Sequence, residues 1–367
     1  MTQTEHEAQQ LNEIRQQIDA LDEKIQQLIT QRALCAQKVA DIKTQGGRVE
    51  AVFYRPEREA QVLRAVRERN TSLLSDDVMA RLFREIMSAC LALEQPLKVA
   101  YLGPEGSFTH AATLKQFGSF AQPYPVSTID EVFKAVEEGE VNYGLVPVEN
   151  STEGVVNATQ DNLIRMTAQV TGELDLAIHH CLLSQTSDLT QIKKVVAHPQ
   201  ALGQCRRWLQ NNLPGVELEA VDSNALAAKM AQADNALAAI ASEQAAVLYQ
   251  LRILKARVED KQDNTTKFWV IGKEKPLASG RDKTALVLSL ANKAGALHQI
   301  LESFAKRDIS MTRIVSRPST NKKWDYVFFI DILGHQFDER VADALKEVEQ
   351  QAHFFKLLGS YPISPMD

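Results

Sequence analysis

Arg15, Arg32 and Lys43 fall within one stretch, EIRQQIDALDEKIQQLITQRALCAQKVADIK, whose apolar residues recur at alternating spacings of three and four. Leu11, Ile14, Ile18, Leu21, Ile25 and Leu28 set that rhythm, and it resumes at Cys35, Val39 and Ile42. This is the seam of a helix packed on other helices, and Arg32 occupies a seam position. An uncompensated buried charge is costly, so Arg32 requires a partner. The partner is either a carboxylate at a helix–helix contact or an anionic ligand in a pocket, and spacing alone leaves both open. Lys43, eleven residues on, lies about 20° round the helix from Arg32, whereas Arg15 lies about 100° from that line. One helix cannot aim all three cations at a single ligand. In a dimer, Arg15 could serve the pocket of the other copy.

A second set of reactive groups stands at four strand-to-helix junctions. YLGPEGSFTHAA places Gly103, Gly106 and Ser107 before a helix, and VPVENSTEGVV does the same with Asn150, Ser151 and Thr152. VVAHPQAL offers His198, and VDSNALAAK offers Ser223 and Asn224. Free backbone N–H groups and cap hydroxyls at such junctions suit carboxylates or phosphates. Each alone is an ordinary helix cap, but the convergence of four points to an anion site. EDKQDNTTKFWVIG adds Thr265 and Thr266 immediately before an aromatic strand, followed by Lys267 and Phe268.

The elements that must position these groups fall into three regions. Residues 8 to 95 read as helix throughout. The first runs from about Gln9 to Thr44, roughly 50 Å, and is stopped by the glycines of QGGR (45–48). A second begins near Pro56 and ends near Asn70, and a third follows the Ser75–Asp76–Asp77 cap and ends before Pro96. The long helix cannot bury its seam on two shorter partners, so a helical dimer is expected. Beyond Pro96, short β-rich runs alternate with helices, which implies mainly parallel sheets in two small α/β lobes with a cleft between them. KEKPLASGRDK (273–283) is a polar linker. The order after it, strand–helix–strand–strand–helix–strand, is the ferredoxin-like split. The fold class is thus multidomain α+β, with a helical domain over 1–95, a two-lobed α/β domain over 97–273 and a ferredoxin-like domain over 284–364.

Composition narrows the function classes. A length of 367 residues suits about two to three domains. A net charge of −6 argues against a general nucleic-acid binder. Cys35, Cys90, Cys181 and Cys205 are scattered without a CxxC, so neither a disulfide framework nor a structural metal is expected. No apolar run is long enough to span a membrane, and the reading is a cytoplasmic protein. No cofactor is expected.

The first stretch resembles the first helix of the all-helical chorismate mutases fused to prephenate dehydratase. The resemblance implies an intertwined dimer that binds chorismate between helices. Arg15 would reach across to one carboxylate, Arg32 would hold the other, and Lys43 would hydrogen-bond the ether oxygen whose C–O bond breaks. Glu59, in RPEREA, would accept from the substrate hydroxyl. The rearrangement to prephenate needs no nucleophile, only a held compact conformer and stabilised charge on the ether oxygen. Three positions depart from the familiar pattern. Arg55 stands where Asp is usual, Cys90 where Ser is, and Glu94 where a glutamine donates to the ether oxygen. A glutamate donates only when protonated, so the mutase is expected to depend on the proton of Glu94.

GPEGSFTH, VPVENSTEG, HPQAL and the Thr–basic–Phe run, in that order over residues 97 to 272, resemble prephenate dehydratase. The implied fold is a two-lobed, periplasmic-binding-protein-like domain with its site in the cleft. Thr266 would be the catalytic threonine, helping to protonate the departing ring hydroxyl as the carboxylate leaves as CO₂. Ser107, Asn150, Ser151, Thr152, His198, Ser223 and Asn224 would line the site. Lys267, which replaces the familiar arginine, and Phe268 would complete it. NKAGALHQIL and MTRIVSRP resemble the ACT regulatory domain. This implies phenylalanine bound between paired domains near Gly295, Ala296, Leu297, Ser316 and Arg317, with Val315 in place of the usual glutamate. The dimer would then form through both the helical and the ACT regions. A non-catalytic amino-acid sensor would share the second and third domains, but it needs neither Thr266 nor the set Arg15, Arg32, Lys43 and Glu59. A vestigial mutase, and arogenate in place of prephenate, stay open.

Overall fold

A computed structural model of the chain describes residues 3–45, 54–290, 293–318 and 326–366. The first helix, α1 (Gln3–Gln45), has 43 residues, about 65 Å of continuous helix. Gly46 and Gly47, the expected stop, lie outside the described residues. Helix α2 (Pro56–Glu68) opens on Pro56 in its first turn and buries Ala60, Leu63 and Val66. In α3 (Asp76–Glu94) the Ser75 hydroxyl accepts from the Val78 N–H at 3.4 Å. The seam of α1 is largely uncovered: Leu11 is 49% exposed and Leu28 64%. On α3, Ala80, Arg84 and Ser88 are buried, and Arg84 and Ser88 face the α/β region. Arg84 donates to the Lys115 carbonyl at 2.8 Å. Gly118, at φ +78°, admits Ser88, since a Cβ there would lie 2.5 Å from the Ser88 Cβ.

The middle of the chain forms two α/β lobes, each on its own sheet. The first sheet runs in the order Gln122–Val126, Lys98–Leu102, Tyr143–Asn150, Thr265–Gly272, Gln169–Ala177, with the short strand Gly154–Val155 against Tyr143–Asn150. The second runs Arg252–Lys255, Cys181–Ser184, Leu237–Ala241, Lys194–Ala197, Glu217–Ala220. Both sheets are mixed, which corrects the expectation of mainly parallel pairing. Strand Thr265–Gly272 returns from the second lobe into the first and runs antiparallel to both of its neighbours. Strand Cys181–Ser184 is likewise antiparallel to Leu237–Ala241 and to Arg252–Lys255.

The C-terminal region pairs its strands Met311–Pro318, Tyr326–Leu333, Asp282–Leu290 and Phe354–Pro362 in that order, all antiparallel. Helices Ala296–Ala305 and Glu339–Gln351 contribute to the core over one face, against Leu286, Leu288, Ile330 and Ile332. The opposite face is not left to water. Ala285, Val287, Val327, Phe329 and Tyr361 share a core with Val170, Trp269 and Ile271 of the first lobe. Gly359 permits the approach, because a Cβ there would fall 2.2 Å from the Val170 carbonyl oxygen. Strand Thr265–Gly272 of the first lobe is therefore backed by the C-terminal sheet. Among the described residues, no helix is long and apolar enough to cross a membrane.

Candidate active sites

Strand Thr265–Gly272 alternates its side chains, and that alternation builds the cleft. Thr266 and Phe268 point to one side and line a cavity of about 300 Å³ together with Asn150, His198 and Asn224. Lys267 points to the other side, where it pairs with Asp175 at 2.9 Å and Glu173 at 3.5 Å. Asn150 stands opposite Thr266 in the ladder, and its Nδ2 donates to Thr266 Oγ1 and to Asn264 Oδ1, both at 2.8 Å. Its Oδ1 accepts from the Thr152 and Glu153 amides at 2.9 and 3.0 Å, which fixes which way the carboxamide faces. Ser151 Oγ accepts from the Thr265 N–H at 3.0 Å, stitching the 150–153 turn to strand Thr265–Gly272. With Asn150 donating to it, the Thr266 oxygen is supplied with a hydrogen bond, and its own proton is available to a group in the cleft.

The other junction residues act first as helix caps. Ser107 Oγ accepts from the His110 N–H at 3.2 Å, and Ser223 Oγ from the Leu226 N–H at 3.0 Å. The His198 N–H donates to Asn224 Oδ1 at 2.9 Å, so these two lining residues hold each other. Neither Ser107 nor Ser223 lines the cleft, and Thr152 borders a neighbouring hollow.

Several lining residues escaped the sequence reading, His180 and Gln204 among them. His180, 2% exposed, shares a 2.8 Å hydrogen bond through Nε2 with Gln204 Oε1. Gln204 Nε2 turns to Glu153 at 3.5 Å, so the oxygen faces the ring and His180 Nε2 carries the proton. Burial holds the His180 pKa below its ordinary value, and its Nδ1 is buried without a partner. Gln204 lies four residues beyond Gln200 of HPQAL, so a longer reading of that motif would have included it. His180 comes from a strand entry with no junction motif of its own.

In the helical region, Arg32, Lys43, Arg55 and Glu94 share one electrostatic neighbourhood. Burial raises the Glu94 carboxyl above its ordinary value, against the pull of Lys43 and Arg32. Burial lowers Lys43, with Glu94 opposing and Arg55 adding to the shift. Cys90, one turn before Glu94 on α3, is buried. Arg15 is exposed and lies seventeen residues from Arg32 along α1, about 25 Å away. Glu59 is not with this set. It pairs with Arg84 at 3.2 Å in a crevice shared with Tyr54, Gly172 and Pro365, and burial raises its pKa while Arg84 opposes.

In the C-terminal region, Gly295 adopts φ +80° before helix Ala296–Ala305, and Ala296 and Leu297 pack on the core beneath it. Asn292, which opens the first motif, lies outside the described residues. Ser316 is exposed on strand Met311–Pro318, whereas Arg317 turns to the first lobe and pairs with Asp161.

Three family matches tile the chain: chorismate mutase type II over residues 14–95, prephenate dehydratase over 99–276 and the ACT domain over 284–350. The bifunctional chorismate mutase/prephenate dehydratase of Pseudomonas aeruginosa is 51% identical over 96% of this chain and 98% of its own. That of Escherichia coli K12 is 32% identical over 96% of this chain and 97% of its own. The solved prephenate dehydratase of Arthrobacter aurescens, in complex with L-Phe, superposes with a TM-score of 0.67 at 32% identity, covering 74% of this chain and 91% of that one. With its three domains in this order and its relatives matched nearly end to end, the chain belongs to the family of bifunctional chorismate mutase/prephenate dehydratases.

Proposed function

We propose that the cleft of the α/β domain dehydrates prephenate with Thr266 as proton donor, oriented by Asn150. The observation that carries this is the 2.8 Å hydrogen bond from Asn150 Nδ2 to Thr266 Oγ1. In the reaction, the C–C bond to the ring carboxylate breaks and CO₂ departs. Its electron pair enters the ring as the C–O bond to the ring hydroxyl breaks, and the hydroxide leaves as water with a proton passed through Thr266. A threonine hydroxyl is a weak acid, so its role is to place and relay a proton rather than to store one. Asn224, His198 and the Gln204–His180 pair shape the anion-binding wall. Lys267 is assigned to holding the strand, not to the substrate.

The mutase site is proposed at Arg32, Lys43 and Glu94, with Arg55 and Cys90 at its rim. Arg15 is supplied by the other protomer of a homodimer, which the uncovered seam of α1 supports. Glu59 would join only by leaving Arg84. Phenylalanine is proposed as an inhibitor held by Gly295, Ala296, Leu297 and Ser316 between paired ACT domains, a reading supported by the L-Phe complex of the Arthrobacter relative. The enzyme is proposed to act in the cytoplasm.

One assay tests the whole. Purified protein is incubated with chorismate while chorismate loss and phenylpyruvate formation are followed separately, with and without phenylalanine. The expected result is both conversions, with the second suppressed by phenylalanine. Chorismate loss without phenylpyruvate would overturn the assignment of the cleft.

A further inference from the structure

Strand Met311–Pro318 carries different side chains on its two faces. Ile314 and Ser316 stand opposite Ile330 and Phe328, on the face where Ala296 and Leu297 pack. Arg313 and Arg317 stand opposite Asp331 and Val327, on the face turned to the first lobe. Arg313 crosses that interface. Its Nε donates to Glu149 Oε2 at 2.9 Å, and its guanidinium lies 5.5 Å from the Trp269 ring centre. Glu149 is the residue before Asn150, and its ladder partner Lys267 is the residue after Thr266. The two residues of the catalytic hydrogen bond are therefore each one peptide away from a charged side chain on the far face of the sheet.

Arg313 uses its donors unevenly. Its side chain is only 8% exposed, yet Nη1 and Nη2 are buried without partners. Directly opposite it in the ladder, Asp331 is 3% exposed, and its Oδ1 is likewise buried without a partner. Glu149, Arg313 and Asp331 line one crevice of about 320 Å³, which gives the guanidinium room to move. A swing onto Asp331 would pair both orphaned groups and release Glu149. Leaving such groups unpaired in a buried site is costly, so each arrangement has something the other lacks. Two discrete packings of one side chain are what transmission between sites requires.

We propose that Arg313 is a positioning residue that exchanges between two carboxylates: on Glu149 it holds the Asn150–Thr266 pair in working register, and on Asp331 it lets that register go. Phenylalanine on the opposite face of strand Met311–Pro318 selects the second state. The inference rests on the reading that Asn150 and Thr266 act on prephenate and that the ACT region binds phenylalanine. Burial pushes the Asp331 carboxyl up to about 6, with Arg313, Lys283 and Lys267 opposing the rise and Glu173 adding to it. In its ionised form it can receive the guanidinium.

The test uses the full-length enzyme with prephenate supplied directly. Arg313→Gln and Glu149→Gln are expected to lower dehydratase kcat about tenfold. KM for prephenate should stay within about twofold, because the loss is of alignment rather than binding. Mutase activity, unchanged in both, reports that the chain has folded, and Arg313→Lys should restore part of kcat. Asp331→Asn removes the second seat. It should keep kcat yet raise the activity remaining at saturating phenylalanine at least about fivefold, with phenylalanine still binding by calorimetry. Wild-type kcat in both Arg313→Gln and Glu149→Gln overturns the proposal, as does full inhibition of Asp331→Asn. If Arg313→Gln does not fold, Glu149→Gln, which alters a part-exposed carboxylate, decides the kcat arm. If phenylalanine neither binds nor inhibits the wild type, the effector reading fails, and the link is judged by kcat alone.

Discussion

Asn150 and Thr266 face each other across two antiparallel strands, and the carboxamide that donates to the Thr266 hydroxyl is itself held by two backbone amides. The threonine oxygen therefore sits in a fixed place with its proton free to be given. Thr266→Ala should lower phenylpyruvate formation by about 10² to 10⁴-fold. Prephenate made from chorismate would then accumulate, because α1 to α3 are untouched. Thr266→Ser should keep most of the activity. Loss of both conversions in Thr266→Ala would mean a folding defect, which circular dichroism would show.

If Glu94 is the donor to the ether oxygen, as proposed, it sets the pH behaviour of the mutase. Burial raises its pKa, while Lys43 and Arg32 pull the other way. Only the protonated carboxyl donates to an ether oxygen, so activity is present below this pKa and lost as pH rises through it. Mutase kcat/KM should fall with rising pH, and Glu94→Gln, whose amide always donates, should flatten the profile. An unchanged profile in that variant would remove Glu94 from the mechanism.

Much of this was legible because the signals are local. Ser75, Ser107 and Ser223 cap helices where their sequence context says they should, and each hydroxyl accepts the N–H three residues on. Asn150, His198, Asn224 and Thr266 meet in one cleft because each sits at a strand end or a helix start facing it. What was not legible is long-range. Nothing near Thr265–Gly272 announces that this strand inserts antiparallel between Tyr143–Asn150 and Gln169–Ala177. Nor does the sequence of α2 say that Glu59 turns to Arg84, because Arg84 owes its burial to the lobe behind it. Gln204 and His180 are 24 residues apart, and only the fold brings them together.

The exposed seam of α1 predicts obligatory pairing. Leu11, Ile14, Ile18, Leu21, Ile25 and Leu28 are each about half exposed, and burying that half is worth about 1 kcal/mol per side chain. Leu21→Asp together with Ile25→Asp should shift sedimentation toward the monomer and abolish mutase activity, because Arg15 would no longer reach the other pocket. Dehydratase activity should survive, since its cleft lies wholly within one chain. A variant pair that sediments as wild type would remove this seam from the interface.

Lys267 separates motif from geometry. It lies between two residues that line the cleft, so its place in the run Thr266–Lys267–Phe268 suggests a third substrate contact. A strand alternates its faces, however, and the Lys267 ammonium is on the far side, bound to Asp175 and Glu173. Glu173 is only 4% exposed and also receives Lys283 at 2.6 Å, so removing Lys267 leaves it one cation short rather than bare. Lys267→Met should cost about 2 kcal/mol, read as a lower thermal midpoint. KM for prephenate should stay within about twofold. If KM instead rose by an order of magnitude at unchanged stability, the ammonium would have to reach the substrate, and strand Thr265–Gly272 would have to twist at Lys267 when prephenate binds.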